Sequence, residues 1–354
     1  MKTTNNPSST HTGPPAVTVL MAVFNTETHL REAIDSILGQ EFTDFEFLIY
    51  NDGSTDGTAA VVRSYDDPRI VFVDNSSNRG VSHNMNEGIV RARGRYIARM
   101  DGDDVAYPQR LALQVAYLDA HPEVGLCGAG VRYIGASDTV IRMPEANDII
   151  QHTLWLRNAF YQPVVMIRTS VLLEHNLRYD TSFDPAEDYK LWSDMSGVTE
   201  LHNLPQVLLD YRIHPHQISR RQSAKQQNNI DQIRRQQMAR VGIVLQPVHE
   251  PAFALLTRED TWPTLKPTHY AQIAALLEDY NRQVSRLALA PAVVEEALGQ
   301  EWMRLLGTSH QFGIKLLPYV FRQPFRRHFP ATVLTKLLVK CLVGWQPRTL
   351  TSTS

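Results

Sequence analysis

Four short apolar runs, each ending on a polar residue and each followed by a helical pattern, occupy the stretch from Val17 to Leu118. "VTVLMAVFN" stops at Asn25, "FEFLIYND" at Asp52, "IVFVDN" at Asn75, and "YIARMDGDD" at Asp101 and Asp103. Between them Leu30, Ile34 and Ile37, then Ala60 and Val61, then Val81, Met85, Ile89 and Ala92 recur at helical spacing. Pro108 suits the first turn of a further helix carried on by Leu111, Val115 and Leu118. This alternation predicts an α/β fold with a Rossmann-like, mostly parallel sheet flanked by helices. Right-handed crossovers put the C-terminal ends of parallel strands on one edge, and ligands of open α/β sheets bind outside that edge. Here the edge is acidic. It repels a bare phosphate and accepts one that arrives with a divalent cation.

The loop "NDGSTDG" (Asn51–Gly57) resembles part of a calcium loop, and position-by-position comparison tests it. With Asp52 first, Ser54, Asp56 and Gly57 fall correctly, but the twelfth position is Arg63 where a bidentate Glu is required. Ser54, Thr55 and Asp56 read instead as turn and cap chemistry, with Gly53 and Gly57 for backbone freedom. Asp52 is not explained that way. A carboxylate at a strand end accepts hydrogen bonds and donates none, which suits the N3–H of a uracil ring.

The 354 residues carry a formal net charge of -2, which gives no global attraction to nucleic acid, so no nucleic-acid partner is expected. Two cysteines, Cys127 and Cys341, leave no room for a disulfide framework or a cysteine metal site and point to a reducing, cytoplasmic setting. Residues 1–15 lack the apolar centre of a signal peptide and read as a disordered tail. Past residue 220 the pattern turns mainly α-helical, and from Trp302 to Ser354 there is no Asp or Glu. Within that basic tail Leu334, Leu338, Cys341 and Leu342 group away from Lys336 and Lys340. Two readings stand for it: a peripheral amphipathic helix on an anionic membrane surface, or a helix packed back on the protein.

The run from Val17 through "NDGSTDGT", together with "NRGVSHNMNEG", "GRYIARMDGDD" and "AEDYKLW", resembles family 2 glycosyltransferases of the GT-A fold over residues 16–216. The resemblance implies a GT-A domain over 16–220, a helical region over 221–354, and inverting transfer of a sugar from a nucleotide sugar, expected to be a UDP-sugar. The acceptor is expected to be a glycan or a lipid-linked glycan. That family commonly has two acids before the Gly-Ser; here the first is Asn51, and Asp52 matches the base contact. Asp101 is expected to face the ribose and Asp103 to ligate Mn2+ or Mg2+, with Asp104 supporting. His214, in "YRIHPHQIS", matches a family metal ligand; for it and for His216, two residues on, a plain surface histidine is the alternative reading. Arg212 is expected to approach the phosphates. Asp188 is expected to be the general base, its position at a helix start favouring the ionised form. Glu187 either orients the acceptor or closes a capping box begun by Asp184. Asn86 is expected to support the nucleotide loop or the acidic turn. Arg79 either meets a phosphate or balances the acidic edge, and Phe24 beside Asn25 either stacks on the base or fills the core. A nucleotidyltransferase remains a rival, although "VFNTETHL" lacks the glycines of a phosphate loop; a non-catalytic nucleotide-sugar binder is the second.

Overall fold

A computed structural model of the chain describes residues 13–214, 224–286, 291–308 and 317–320. His216 and the amphipathic segment with Leu334, Lys336, Leu338, Lys340, Cys341 and Leu342 lie outside the described residues. Among the described residues no helix is long and apolar enough to cross a membrane.

Two compact units emerge: residues through Asn147 with Asn158–Ile233, and Asp148–Arg157 with the chain from Arg234 onward. The first is built on one sheet. Its strands are β1 (Val17–Val23), β2 (Phe45–Asn51), β3 (Ile70–Asp74), β4 (Tyr96–Met100), β5 (Val105–Ala106), β6 (Val124–Gly135), β7 (Val140–Ile141), β8 (Met166–Arg168) and β9 (Glu200–Ile213). They lie in the order β3-β2-β1-β4-β8-β6-β9-β5, with β7 on β6. The first four are parallel, as the apolar runs predict. Antiparallel pairing enters where β8 joins β4 and where β5 joins β9.

The helices follow from the same periodicity. α1 (Glu27–Leu38), α2 (Thr58–Arg63), α3 (Val81–Arg91) and α4 (Arg110–Ala120) alternate with the early strands; α5 (Asn147–Thr153), α6 (Thr169–Glu174), α7 (Glu187–Met195) and α8 (Ala224–Arg240) come later. On one sheet face Val19, Met21, Phe47, Ile49 and Met100 pack with Leu30, Ile34 and Ile37 of α1 and Leu111 and Leu118 of α4. Each such side chain contributes about 1.5–3 kcal/mol by burial. The opposite face takes α3, so closely that a Cβ at Gly88 would lie 2.3 Å from Leu20 Cδ1. Because β2 lies on one side of β1 and β4 on the other, the connection reverses direction between β1 and β4. An open α/β sheet gathers its ligand at such a point, here between Phe24–Asn25 and Asp101.

The second unit is helical. α9 (Glu250–Thr257), α10 (Pro267–Arg286) and α11 (Pro291–Thr308), with the short α12 (Leu317–Val320), surround Phe253, Trp262, Tyr270, Leu277 and Trp302. Glu301, almost fully buried, is matched by Arg157 at 2.5 Å and Arg304 at 3.3 Å.

Candidate active site

The "NDGSTDG" loop spends most of its polarity on its neighbours. Asn25, at φ 53°, takes the Thr55 N–H on its side-chain oxygen and donates its own N–H to Ser54 Oγ, both at 2.9 Å. Asp56 accepts from the backbone of Thr58 and Glu27. Asn51 donates to Asp74 Oδ1 at 2.6 Å. An acid at 51 would instead set two carboxylates against each other, which is a physical reason for the amide here. Phe24 is 47% exposed at the end of β1 and does not fill the core.

Asp52 is buried just past β2. Its two oxygens accept the backbone N–H groups of Arg79 and Gly80, at 2.8 and 2.9 Å. Each carboxylate oxygen retains a second acceptor direction, so Asp52 both holds the turn before α3 and keeps capacity for a ligand donor. The Arg79 guanidinium pairs with Glu87 at 3.2 Å, and with His83, Asn86 and Arg178 it lines a shallow cavity of about 410 Å³. The Asn86 amide clamps the backbone of Tyr179, accepting its N–H at 2.9 Å and donating to its C=O at 2.8 Å, and so ties α3 to that distant segment.

Beyond β4 the chain turns through Asp101, Asp103 and Asp104, whose carboxylates lie within 4.8 Å of one another. β5 carries this turn onto β9, pairing Val105 with Asp210. That short ladder brings residues from 111 positions away: His214 Nε2 sits 2.9 Å from Asp103 Oδ2. Arg212 gives its N–H to Asp104 Oδ1 and its Nε–H to the Asp103 carbonyl, both at 2.8 Å, and reaches Glu32. Beneath lies Arg99, 2% exposed, which pairs with Asp101 at 2.6 Å. Arg110, fully buried, donates to the Arg99 carbonyl at 2.6 Å. Desolvation raises the Asp101 and Asp104 carboxyls above the usual range, against Arg99 in the first case and with the charges of Asp101 and Asp103 in the second. A carboxylate and an imidazole side by side, with two further carboxylates crowded behind, are a donor set that fits a Mn2+- or Mg2+-sized cation.

α7 supplies the second group of acids. No capping box forms: Ala186 is the N-cap without a side-chain bond, and Asp184 is taken by the Ser82 hydroxyl. Glu187 is therefore not a cap. Burial, then the neighbouring Asp188 charge, pushes its carboxyl up to about 8. Asp188 accepts from its neighbour Tyr189 N–H at 2.6 Å and from Asn158 Nδ2 at 3.0 Å. It lies near enough to Asp101 to feel that charge. The structure thus gathers Asp101, Asp103 and His214 at one turn and sets Asp188 within electrostatic reach of it.

Comparison with known proteins bears on this arrangement. Residues 18–176 match the model of the family described as glycosyl transferase family 2. An uncharacterised glycosyltransferase of Haemophilus influenzae is 30% identical over 235 residues, covering 63% of this chain and 73% of its own length. The O-antigen biosynthesis glycosyltransferase WbnJ of Escherichia coli is 31% identical over 56% of this chain and 80% of its own. The chain belongs to glycosyltransferase family 2. Solved structures share the fold: S. aureus TarS 1–349 in complex with UDP-GlcNAc has a TM-score of 0.56 at 16% identity, covering 92% of this chain and 90% of TarS. The mannosyltransferase PcManGT of Pyrobaculum calidifontis, in complex with GDP-Man and Mn2+, has a TM-score of 0.51 at 19% identity, over 94% and 87%.

Three residues of this glycosyltransferase's site escape the sequence pattern. Arg99 and Arg110 left a trace, a cation inside the apolar run "YIARM" and another opening an apolar helix. Asn158 left none, since a lone amide in a loop has no periodicity.

Proposed function

We propose that this glycosyltransferase moves a sugar, with inversion, from a UDP-sugar to a hydroxyl of a glycan or lipid-linked acceptor in polysaccharide assembly. The observation that carries the reading is the part-exposed Asp188 carboxylate, fixed at the start of α7 within electrostatic reach of Asp101 in the acidic turn. Asp188 takes the proton of the acceptor hydroxyl; that oxygen forms a bond to the anomeric carbon while the bond to the β-phosphate breaks, and the diphosphate leaves with the electron pair. Asp103 and His214 would hold a divalent cation, Mn2+ or Mg2+, which supplies charge neutralisation at the departing diphosphate. Asp52 accepts from the base, Phe24 offers it an exposed ring, and Asp101 faces the ribose. Arg212 lends positive charge beside the diphosphate. The acceptor class draws support from the named roles of relatives, WbnJ in O-antigen and AmsE of Erwinia amylovora in amylovoran biosynthesis.

The test is a product screen over UDP- and GDP-sugars with Mn2+ or Mg2+, run on wild type and Asp188→Asn. Release of nucleoside diphosphate supports sugar transfer, and release of pyrophosphate supports a nucleotidyltransferase. Asp188→Asn is expected to lose turnover by about 10²–10⁴-fold while still binding UDP. Wild-type turnover in that variant would exclude Asp188 as the base.

A further inference from the structure

Asp188 is held by a residue that neither the family motifs nor the sequence pattern marks. Asn158 Nδ2 donates to Asp188 Oδ2 at 3.0 Å, while Asn158 Oδ1 accepts the Phe160 N–H at 3.1 Å. The amide orientation is forced by chemistry. The carboxylate only accepts and the backbone N–H only donates, so the nitrogen must face Asp188. The segment carrying Asn158 is itself fixed. Asn203 of β9 donates to the Ala159 carbonyl at 3.1 Å, and Phe160 packs edge-on against Trp192 of α7, ring centroids 6.2 Å apart. Residues 158–160 are therefore tied to the helix that bears the base.

We propose that Asn158 is a positioning residue for the base: its amide fixes the Asp188 carboxylate in rotation and stabilises its ionised form. This rests on the reading of Asp188 as base. With Oδ1 taken by Tyr189 N–H and Oδ2 by Asn158, the carboxylate plane is set, and a remaining acceptor direction is left for the incoming hydroxyl. The charged groups around it do not offer the same help. Burial and the Asp101 charge oppose its ionisation, Arg99 is committed to Asp101, and the stabilising groups are the backbone N–H groups of Tyr189 and of Asp188 itself and the Asn158 amide, the one side chain among them.

Asn158→Asp is the sharpest probe, because it keeps the acceptor for Phe160 N–H and replaces only the donor. Two carboxylates about 3 Å apart cannot both ionise easily. The acid limb of the pH profile for nucleotide-sugar hydrolysis, measured with the best substrate of the product screen, should move up by one pH unit or more. Asn158→Ala should lower kcat by about 10–100-fold with the donor KM and the UDP/Mn2+ Kd within about twofold of wild type. A melting curve on each variant separates a global fold defect, and if Asn158→Ala melts early the pH profile of Asn158→Asp decides alone. An unmoved acid limb in Asn158→Asp overturns the proposal, as does an Asn158→Ala that raises KM with kcat intact. Asp188→Asn run alongside divides the failures. If it turns over normally, the base reading falls and this proposal with it; if it is inactive while both Asn158 variants behave as wild type, only the positioning role falls.

Discussion

Replacing Gly53 with alanine separates two costs that glycine avoids, and Gly80 is the internal control. Both have positive φ, +73° and +91°, where a side chain is strained by about 1–3 kcal/mol. They differ in space. A Cβ on Gly53 would lie 2.6 Å from the Ser77 carbonyl carbon, 2.7 Å from Ser77 Cα and 2.8 Å from Asn78 N, whereas one on Gly80 meets nothing within 4 Å. The clashing atoms are backbone and cannot swing aside, so Gly53→Ala adds an overpacking cost of about 1–3 kcal/mol. Urea denaturation should therefore show Gly80→Ala losing about 2 kcal/mol and Gly53→Ala about 4 kcal/mol. The displaced segment runs directly into Arg79 and Gly80, whose N–H groups Asp52 holds. UDP affinity should fall more for Gly53→Ala than for Gly80→Ala. Equal stability losses in the two variants would refute the claim that a close approach of backbones requires Gly53.

Asp103→Ala should abolish the Mn2+ dependence of UDP binding measured by calorimetry, and an unchanged dependence would remove Asp103 from the metal site. Stability should also depend on pH through His152, which burial pushes down to about 4 where it stacks on Trp155. The unfolded chain, with a His pKa of about 6.5, then binds the proton more readily. This contribution is full above about pH 6.5 and is lost as pH falls toward about 4. Between pH 7 and pH 5 wild type should lose about 2 kcal/mol more than His152→Phe in urea titrations, and parallel losses would count against that burial.

The parallel half of the fold is legible in the sequence because strands buried on both faces are continuous apolar runs. The short strands that bring in antiparallel pairing are not, because β5, β7 and β8 are only two or three residues long and too short to show alternation. Asp101 and Asp103 stand out by lying at a strand end, but His214 can be linked to Asp103 only through family resemblance. The β5–β9 ladder that joins them is a contact across more than a hundred residues. The capping box expected at Asp184 fails for a related reason: a local rule assigns the carboxylate to its own helix, and a residue 102 positions away, Ser82, takes it. Asn86 likewise serves a distant backbone, that of Tyr179.

The arrangement of charge around the acidic turn gives the three aspartates different surroundings. Asp101 faces a guanidinium, and Arg99 holds it at 2.6 Å with almost no exposure of its own. Asp104 is driven inward, 1% exposed, and its Oδ1 is filled by the Arg212 N–H. Asp103 instead meets an imidazole at 2.9 Å and remains part-exposed. An arginine fork competes with a cation for a carboxylate, whereas a neutral imidazole joins it as a second donor. Buried arginines therefore compensate the turn from below, and the Asp103 carboxylate, paired with His214 instead of an arginine, stays part-exposed. Replacing Arg99 by Met would leave Asp101 without its guanidinium partner, so in the proposed cation site the arginine matters as much as the aspartates above it.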